Sequence, residues 1–152
     1  MIHDMVAARR AGDTPSTQAI VSVRDVSRIY GHGHNAVAAL KKVTFEASPG
    51  RLVAITGRSG SGKTTLLNLI GGLDTPTEGT ILLGGRDVTR LSERERTEMR
   101  RHDVAFVFQS FALLPTLSAL ENVTLALHIA GVKPRERTQR ARRVPGAAAD
   151  LG

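Results

Sequence analysis

Apolar and polar residues alternate from Ala19 to Tyr30 (AIVSVRDVSRIY), the period-two pattern of a strand with one buried face. GHGHN reads as a turn, and residues 36–47 (AVAALKKVTFEA) as a second β-type segment closed by Ser48-Pro49-Gly50. The pattern then changes. Arg51 to Thr56 (RLVAIT) and Asp103 to Phe108 (DVAFVF) are short, nearly continuous apolar runs, the form taken by parallel strands buried on both faces. Between them Leu66, Leu67, Leu69 and Ile70 fall at helical spacing, with Gly71-Gly72 as the stop. Gly79 to Leu83 reads as a brief strand and Gly84-Gly85 as a hairpin-type turn. Ser92 to Arg101 is a polar helix whose Ser92 and Glu95 match a capping box, and Leu117 to Ala130 is a helix capped by Ser118 with Glu121. This order of strand, loop, helix and returning strand predicts an α/β layered domain with a parallel core sheet.

Residues 1–18 mix small, polar and charged types without periodicity and read as a mobile leader. The N-terminus has no apolar stretch of signal-peptide length, and no run of about 18 apolar residues occurs anywhere. The 152 residues contain no cysteine, which excludes disulfides, thiolate metal sites and cysteine nucleophiles. Net charge is +7, but the excess is local: Lys133, Arg135, Arg137, Arg140, Arg142 and Arg143 are opposed only by Glu136. No aromatic residue interleaves with these cations as a base-stacking surface requires, so the segment reads as a solvated basic helix and no specific nucleic acid is expected. His32 and His34 have no third ligand nearby and read as surface residues; His102 and His128 carry no motif.

Residues 57–65, GRSGSGKTT, satisfy G-x-x-x-x-G-K-[ST] between a buried-strand pattern and an amphipathic helix. Gly57, Gly60 and Gly62 let the backbone turn its N–H groups inward with no Cβ in the way of a phosphate. Arg58, Ser59 and Ser61 complete the loop, and the helix starting near Lys63 aims its positive end at the same anion. The Lys63 ammonium is placed to bridge β- and γ-phosphates, the Thr64 hydroxyl to ligate Mg2+, and Thr65 to reach the α-phosphate. These residues predict a site for a nucleoside triphosphate with magnesium.

The strings SGSGKTTLLNLIGGLDTPTEGTILLGGRDV and VAFVFQSFALLPTLSALENV resemble the ATP-binding subunits of ABC transporters, in the subgroup serving lipoprotein release and macrolide export. The resemblance runs from about Ile20 to about Arg143. It implies the P-loop NTPase core of an ABC ATPase domain with an antiparallel β subdomain, incomplete at the C-terminus, with ATP and Mg2+ as ligands. On this view residues 1–18 are the leader, 19–132 a partial nucleotide-binding domain, and 133–152 a basic tail. The Arg-, Ala-, Gly- and Pro-rich ending of that tail has the composition of a shifted reading frame. Tyr30 takes the place of the aromatic that stacks on adenine, an interaction of about 1–3 kcal/mol. Gln109 takes that of the glutamine touching magnesium and the attacking water, so Lys63 and Gln109 are the implied catalytic residues. The Ser110–Thr116 loop would face a membrane-spanning subunit, and a second ATP-binding subunit would complete a dimer on the inner face of the cell membrane. Arg58 stands where the family frequently has proline.

No four apolar residues followed by Asp-Glu, the Walker B pattern, occur after Phe108, nor does an LSGGQ-type signature, a D-loop or a switch histidine. The expectation is an ATP-binding subunit truncated before those motifs, binding ATP without turning it over by itself. The alternative is a non-catalytic nucleotide-binding or regulatory module. A sheet lacking later strands is also expected to leave an edge and an apolar face uncovered.

Overall fold

The first strand, β1 (Val21–Tyr30), lies at the centre of the sheet in a computed structural model that describes residues 19–108 and 113–144. β2 (Val37–Ala47) flanks it on one side and β3 (Glu78–Leu83) on the other, with the short β4 (Arg86–Asp87) outermost, in the order β2-β1-β3-β4. Every pairing is antiparallel. The connections explain two of the three. A short segment with one 3₁₀ turn (Gly33–Asn35) joins β1 to β2. Gly84-Gly85 joins β3 to β4, with Leu83 opposite Arg86 and both glycines at positive φ (55° and 80°), the handedness that matches strand twist in a two-residue hairpin.

Simple alternation places Val23 and Val26 on opposite faces, yet both are fully buried. A bulge resolves this. The register slips by one residue against β2 between Val23 and Val26 and against β3 between Arg24 and Ser27, and Asp25 takes φ 49°. β2 answers with Lys42 at φ 45°, which brings Leu40 and Val43 into the core three residues apart. Neighbouring hydroxyls satisfy both bulged amides: Asp25 N–H donates to Thr44 Oγ1 (2.9 Å) and Lys42 N–H to the buried Ser27 Oγ (3.1 Å). Opposite the bulge on β3 sits Gly79, at φ 87°, where an added Cβ would collide with the backbone oxygens of Arg24 and Asp25.

The helix α1 (Lys63–Ile70) packs on β2 and β3 through Leu66 and Leu69, both buried with Val23, Val26, Leu40 and Ile81. The polar helix α2 (Glu93–His102) has the predicted capping box, Ser92 N–H donating to Glu95 Oε2 (2.8 Å). Three of its side chains reach back to the turn after α1. Met99 is buried, Arg96 donates to Thr75 Oγ1 (2.6 Å), and Arg100 donates to the carbonyl of Gly72 (2.6 Å).

The chain divides into two units, Met1–Arg100 and Arg101–Gly152, the border falling inside the last turn of α2. The second holds α3 (Ala119–Ile129) and α4 (Pro134–Ala141), which pack on each other. Ser118 and Glu121 form the predicted capping box of α3. Asn122 ties the preceding loop down, accepting from Leu114 N–H (2.9 Å) and donating to the carbonyls of Leu114, Leu117 and Ser118. The basic segment is helical as expected, opened by Pro134 at a position that needs no N–H.

The parallel core sheet expected from the apolar runs is not formed among the described residues. Neither Arg51–Thr56 nor Asp103–Phe108 lies in a strand, and Leu52 and Val107 are 100% and 96% exposed. The physical reason is pairing. A hairpin supplies its own partner, whereas a parallel strand needs an edge brought from far along the chain. No such edge stands beside these runs among the described residues.

Gly79→Ala is expected to destabilise the chain by at least about 1–3 kcal/mol, because a left-handed backbone is strained for alanine and the bulge carbonyls obstruct its Cβ. Gly50→Ala shares the positive φ (70°) but meets open space, so its loss should be smaller. Paired urea titrations check this, and equal midpoints for the two variants would show that the bulge contact is immaterial.

Candidate functional site

The phosphate loop is built at the N-terminus of α1, and Leu66 and Leu69 fix that helix to the sheet. Its first intrahelical bond runs from Leu66 N–H to Gly62 C=O (2.9 Å), so the amides of Lys63, Thr64 and Thr65 have no acceptor within the helix. Gly62 is the N-cap at φ 90°, a conformation that spares the helix start a strained side chain. Gly57 and Gly60 are also at positive φ (153° and 75°). A Cβ at Gly57 would lie 2.6 Å from Ser61 Oγ, which would have to turn aside, and φ 153° is itself rarely adopted by an L side chain.

Lys63 is folded into this loop. Its ammonium donates to the carbonyls of Gly57 (2.9 Å) and Arg58 (2.8 Å), with Ser61 Oγ at 3.4 Å. Ser61 N–H closes a turn onto Arg58 C=O (3.2 Å). Thr64 is exposed and Thr65 half-buried. Helix-start amides, one ammonium and the hydroxyl-bearing Ser59, Ser61, Thr64 and Thr65 are donors within one loop and the first turn of the helix. That donor set fits an anion with several oxygens, and no carboxylate lies within it. Arg58 is exposed on the same loop.

Tyr30 belongs to a second cluster. Its hydroxyl donates to Asp74 Oδ2 (2.7 Å), and Arg28 grips the same carboxylate with two bonds (2.9 and 2.7 Å). The Arg28 guanidinium lies over the Tyr30 ring, 4.5 Å from its centroid. Burial by itself would raise the Asp74 carboxyl. The Tyr30 hydroxyl, the Thr75 amide and the Arg28 charge outweigh it and hold the group below its ordinary value. Arg28 is raised for the complementary reason, its partners overcoming a burial effect that alone would lower it. Asp74 follows the C-terminal end of α1, whereas the loop opens the N-terminal end. Tyr30 is 40% exposed, with one ring face against Arg28.

Arg28 and Asp74 were missed by motif. Period-two spacing puts Arg28 beside Tyr30 on one face of β1, and that signal could have found it. Asp74 has no local signal, because it meets Tyr30 only through the fold. Gln109 and residues 110–112 of the proposed coupling loop lie outside the described residues. His32 and His34 are exposed on and beside the 3₁₀ turn, and among the described residues no cluster of three His, Cys, Asp or Glu could hold a metal. A cleft of about 430 Å3 lies between α3 and α4, lined by Leu120, Glu121, Thr124, Leu125, His128, Arg137 and Thr138. None of the nucleotide-site candidates borders it. An open turn that meets phosphate with backbone amides makes no deep cavity, so the phosphate loop remains the better candidate.

Comparisons with known proteins identify the family. A family model described as "ABC transporter" matches residues 40–151. An ABC transporter ATP-binding protein of Thermotoga maritima is 46% identical over 123 residues, 81% of this chain and 53% of its own length. The lipoprotein-releasing system ATP-binding protein LolD of Pseudomonas fluorescens is 45% identical over 126 residues, 83% of this chain and 56% of its own. Among solved structures, the dimeric post-hydrolysis state of the ATP-binding cassette MJ0796, bound to ADP and Pi, superposes with a TM-score of 0.72 at 42% identity. That match covers 80% of this chain and 53% of the cassette. The chain thus spans about half the length of the curated relatives it matches.

The carboxylate cluster carries a pH signature. Because Asp74 is depressed in the folded state, its stabilisation is fully present above the ordinary carboxylate value. It is lost as pH falls through the folded value, below about pH 4. Asp74→Asn is expected to cost about 1–3 kcal/mol at pH 7 by leaving Arg28 partly buried without its charge partner. The gap from wild type should close in acid. Thermal melts of both proteins from pH 7 to pH 3 check it; a gap independent of pH would mean that packing, not charge, is lost.

Proposed function

The chain belongs to the ABC transporter family, and from that premise we propose that it binds ATP with magnesium through Gly57, Arg58, Ser59, Gly60, Ser61, Gly62, Lys63, Thr64 and Thr65. One observation carries the reading: the loop gathers unpaired helix-start amides and a lysine ammonium around a turn free of carboxylates. In this reading Lys63 leaves its carbonyl partners for the β- and γ-phosphates. Thr64 offers its hydroxyl to magnesium, and Thr65 reaches the α-phosphate. The solved relative bound to ADP and Pi supports a nucleotide ligand. Magnesium, when bound, would neutralise phosphate charge; the residues here that suit it are Thr64 and Gln109.

Tyr30 is assigned to adenine. With one ring face against Arg28, the base would stack on the other, and Asp74 would hold the ring in place. Beyond binding, we assign the chain to the ATP-binding subunit of a transporter, coupling nucleotide binding to a membrane-spanning partner through the Ser110–Thr116 region. Two such subunits would pair, as the dimeric relative does. That assignment puts it on the cytoplasmic face of a membrane. It is consistent with the finding that no helix among the described residues is long and apolar enough to cross a membrane. A second reading is a non-catalytic nucleotide-binding or regulatory module.

An ATP titration with phosphate release measured in parallel separates the readings. Saturable binding is expected, weakened about 10- to 100-fold by Lys63→Ala through loss of a charge-assisted contact. Binding unaffected by that substitution would remove the loop from consideration. Phosphate release by the chain alone, abolished in the same variant, would overturn the second reading.

A further inference from the structure

Helix α4 uses one narrow face to fold. Ala141 is fully buried, and Arg137, four residues earlier on the same face, is half-buried, its Nε donating to the carbonyl of Val132 (2.6 Å). With Thr138, Arg137 lines the cleft against α3. The remaining surface is cationic. Lys133, Arg135, Arg140, Arg142 and Arg143 are all exposed, and Glu136 is the one acid among them. Among the described residues none of these five side chains is in an ion pair, whereas Arg24, Arg28, Arg90 and Arg96 of the first unit each hold a carboxylate. Five like charges within about three helical turns repel one another, so the surface gains from any external anion that lies across it. Two exposed aliphatic side chains flank it along the chain: Ile129, 61% exposed at the end of α3, and Val144, 42% exposed just after α4.

We propose that the cationic face of α4 is a docking surface for a membrane leaflet rich in anionic lipid headgroups. The chain would then touch the bilayer directly, in addition to any contact through a membrane-spanning partner. Charge complementarity carries the assignment. Clusters of four to eight cations on one short segment are drawn to an anionic leaflet, and each arginine offers its planar fork to a lipid phosphate. Nucleic acid also presents phosphates, but the flanking residues favour the bilayer. Ile129 and Val144 suit the boundary between headgroups and acyl chains and have no partner on a phosphate backbone. No Phe, Tyr or Trp occurs in residues 113–144 to stack on a base. No helix among the described residues is long and apolar enough to cross a membrane, so α4 would lie on the surface. The inference does not rest on the nucleotide reading of Gly57–Thr65.

The test is co-sedimentation of the full chain with vesicles of phosphatidylcholine alone, or with about a quarter phosphatidylglycerol. Binding is expected only to the anionic vesicles, and it should weaken as ionic strength rises. The triple variant Arg135→Gln, Arg140→Gln, Arg142→Gln should lower the partition coefficient about 100-fold, at about fivefold per cation. Lysine at the same three positions keeps the charge and should restore binding to within about fivefold of wild type. Removal of equal charge from exposed positions of the first unit, by Lys41→Gln, Lys42→Gln and Arg94→Gln, should change the partition less than about threefold. Ile129→Gln should weaken vesicle binding about tenfold while leaving any binding to a DNA duplex unchanged. No binding of wild type to anionic vesicles overturns the proposal. So does an equal loss in the two glutamine triples, which would make net charge and not α4 the cause. Binding to a DNA duplex that exceeds vesicle binding and is indifferent to Ile129→Gln would overturn it in favour of nucleic acid.

Discussion

Each peptide unit carries one donor and one acceptor, and a buried strand can exist only where both find partners on its two sides. That constraint sorts this chain. β1 meets it, with β2 on one edge and β3 on the other, and everything ordered around it follows. The bulge at Asp25 turns Val23 and Val26 to the same core, and Thr44 and Ser27 absorb the amides that the bulges leave over. On that core α1 rests through Leu66 and Leu69, and the phosphate loop hangs from α1. The site's geometry is therefore held from one side, by the antiparallel layer. The segment that enters the loop, Arg51–Thr56, contributes no ladder among the described residues.

How legible each element was in the sequence tracks the distance over which its partner must be found. The two hairpin-type pairings, the Gly84-Gly85 turn and both capping boxes could be read from residues a few positions apart, because the physics that forms them acts over that range. The helix behind the phosphate loop was equally plain from Leu66 and Leu69. Alternation failed at Val26, since nothing local announces a bulge; only the opposing Gly79 and its close approach to Arg24 and Asp25 reveal why it is there. The apolar runs at 51–56 and 103–108 have the composition of buried strands, yet neither forms one here, because composition cannot say whether a partner edge is present. Suitability for a strand and membership of a sheet are different properties.

The candidate site divides along the same line. The phosphate loop is contiguous in sequence and its glycines and lysine came straight from spacing. The cluster that fixes Tyr30 is not: Arg28 comes from the same strand, but Asp74 arrives from beyond α1, 44 residues after the tyrosine. Asp74 joins the two ends of the first unit. It clamps the end of β1 to the turn that follows α1, and α2 tightens that turn through Arg96 on Thr75 and Arg100 on Gly72. On the proposed role of Tyr30, such support is a gain, since a ring already held in place loses less freedom when a ligand arrives.

Lys63 shows how the loop tolerates its own charge. A half-buried ammonium must be solvated by something, and here carbonyls of the loop do it, Gly57 and Arg58 each within hydrogen-bond distance. Those carbonyls are neutral dipoles, whereas a phosphate oxygen carries charge, so a phosphate adds Coulomb attraction to bonds already charge-assisted on the lysine side. Exchange of one set for the other is therefore downhill for the lysine, and the carbonyls it releases are on an exposed turn where water can take over. The same contacts that keep the loop folded make it selective. A neutral ligand would have to displace bonds of equal strength, whereas, on the proposed role, an anion improves on the partners the lysine already has. The selectivity of this loop thus lies less in its shape than in the quality of the bonds a ligand must outbid.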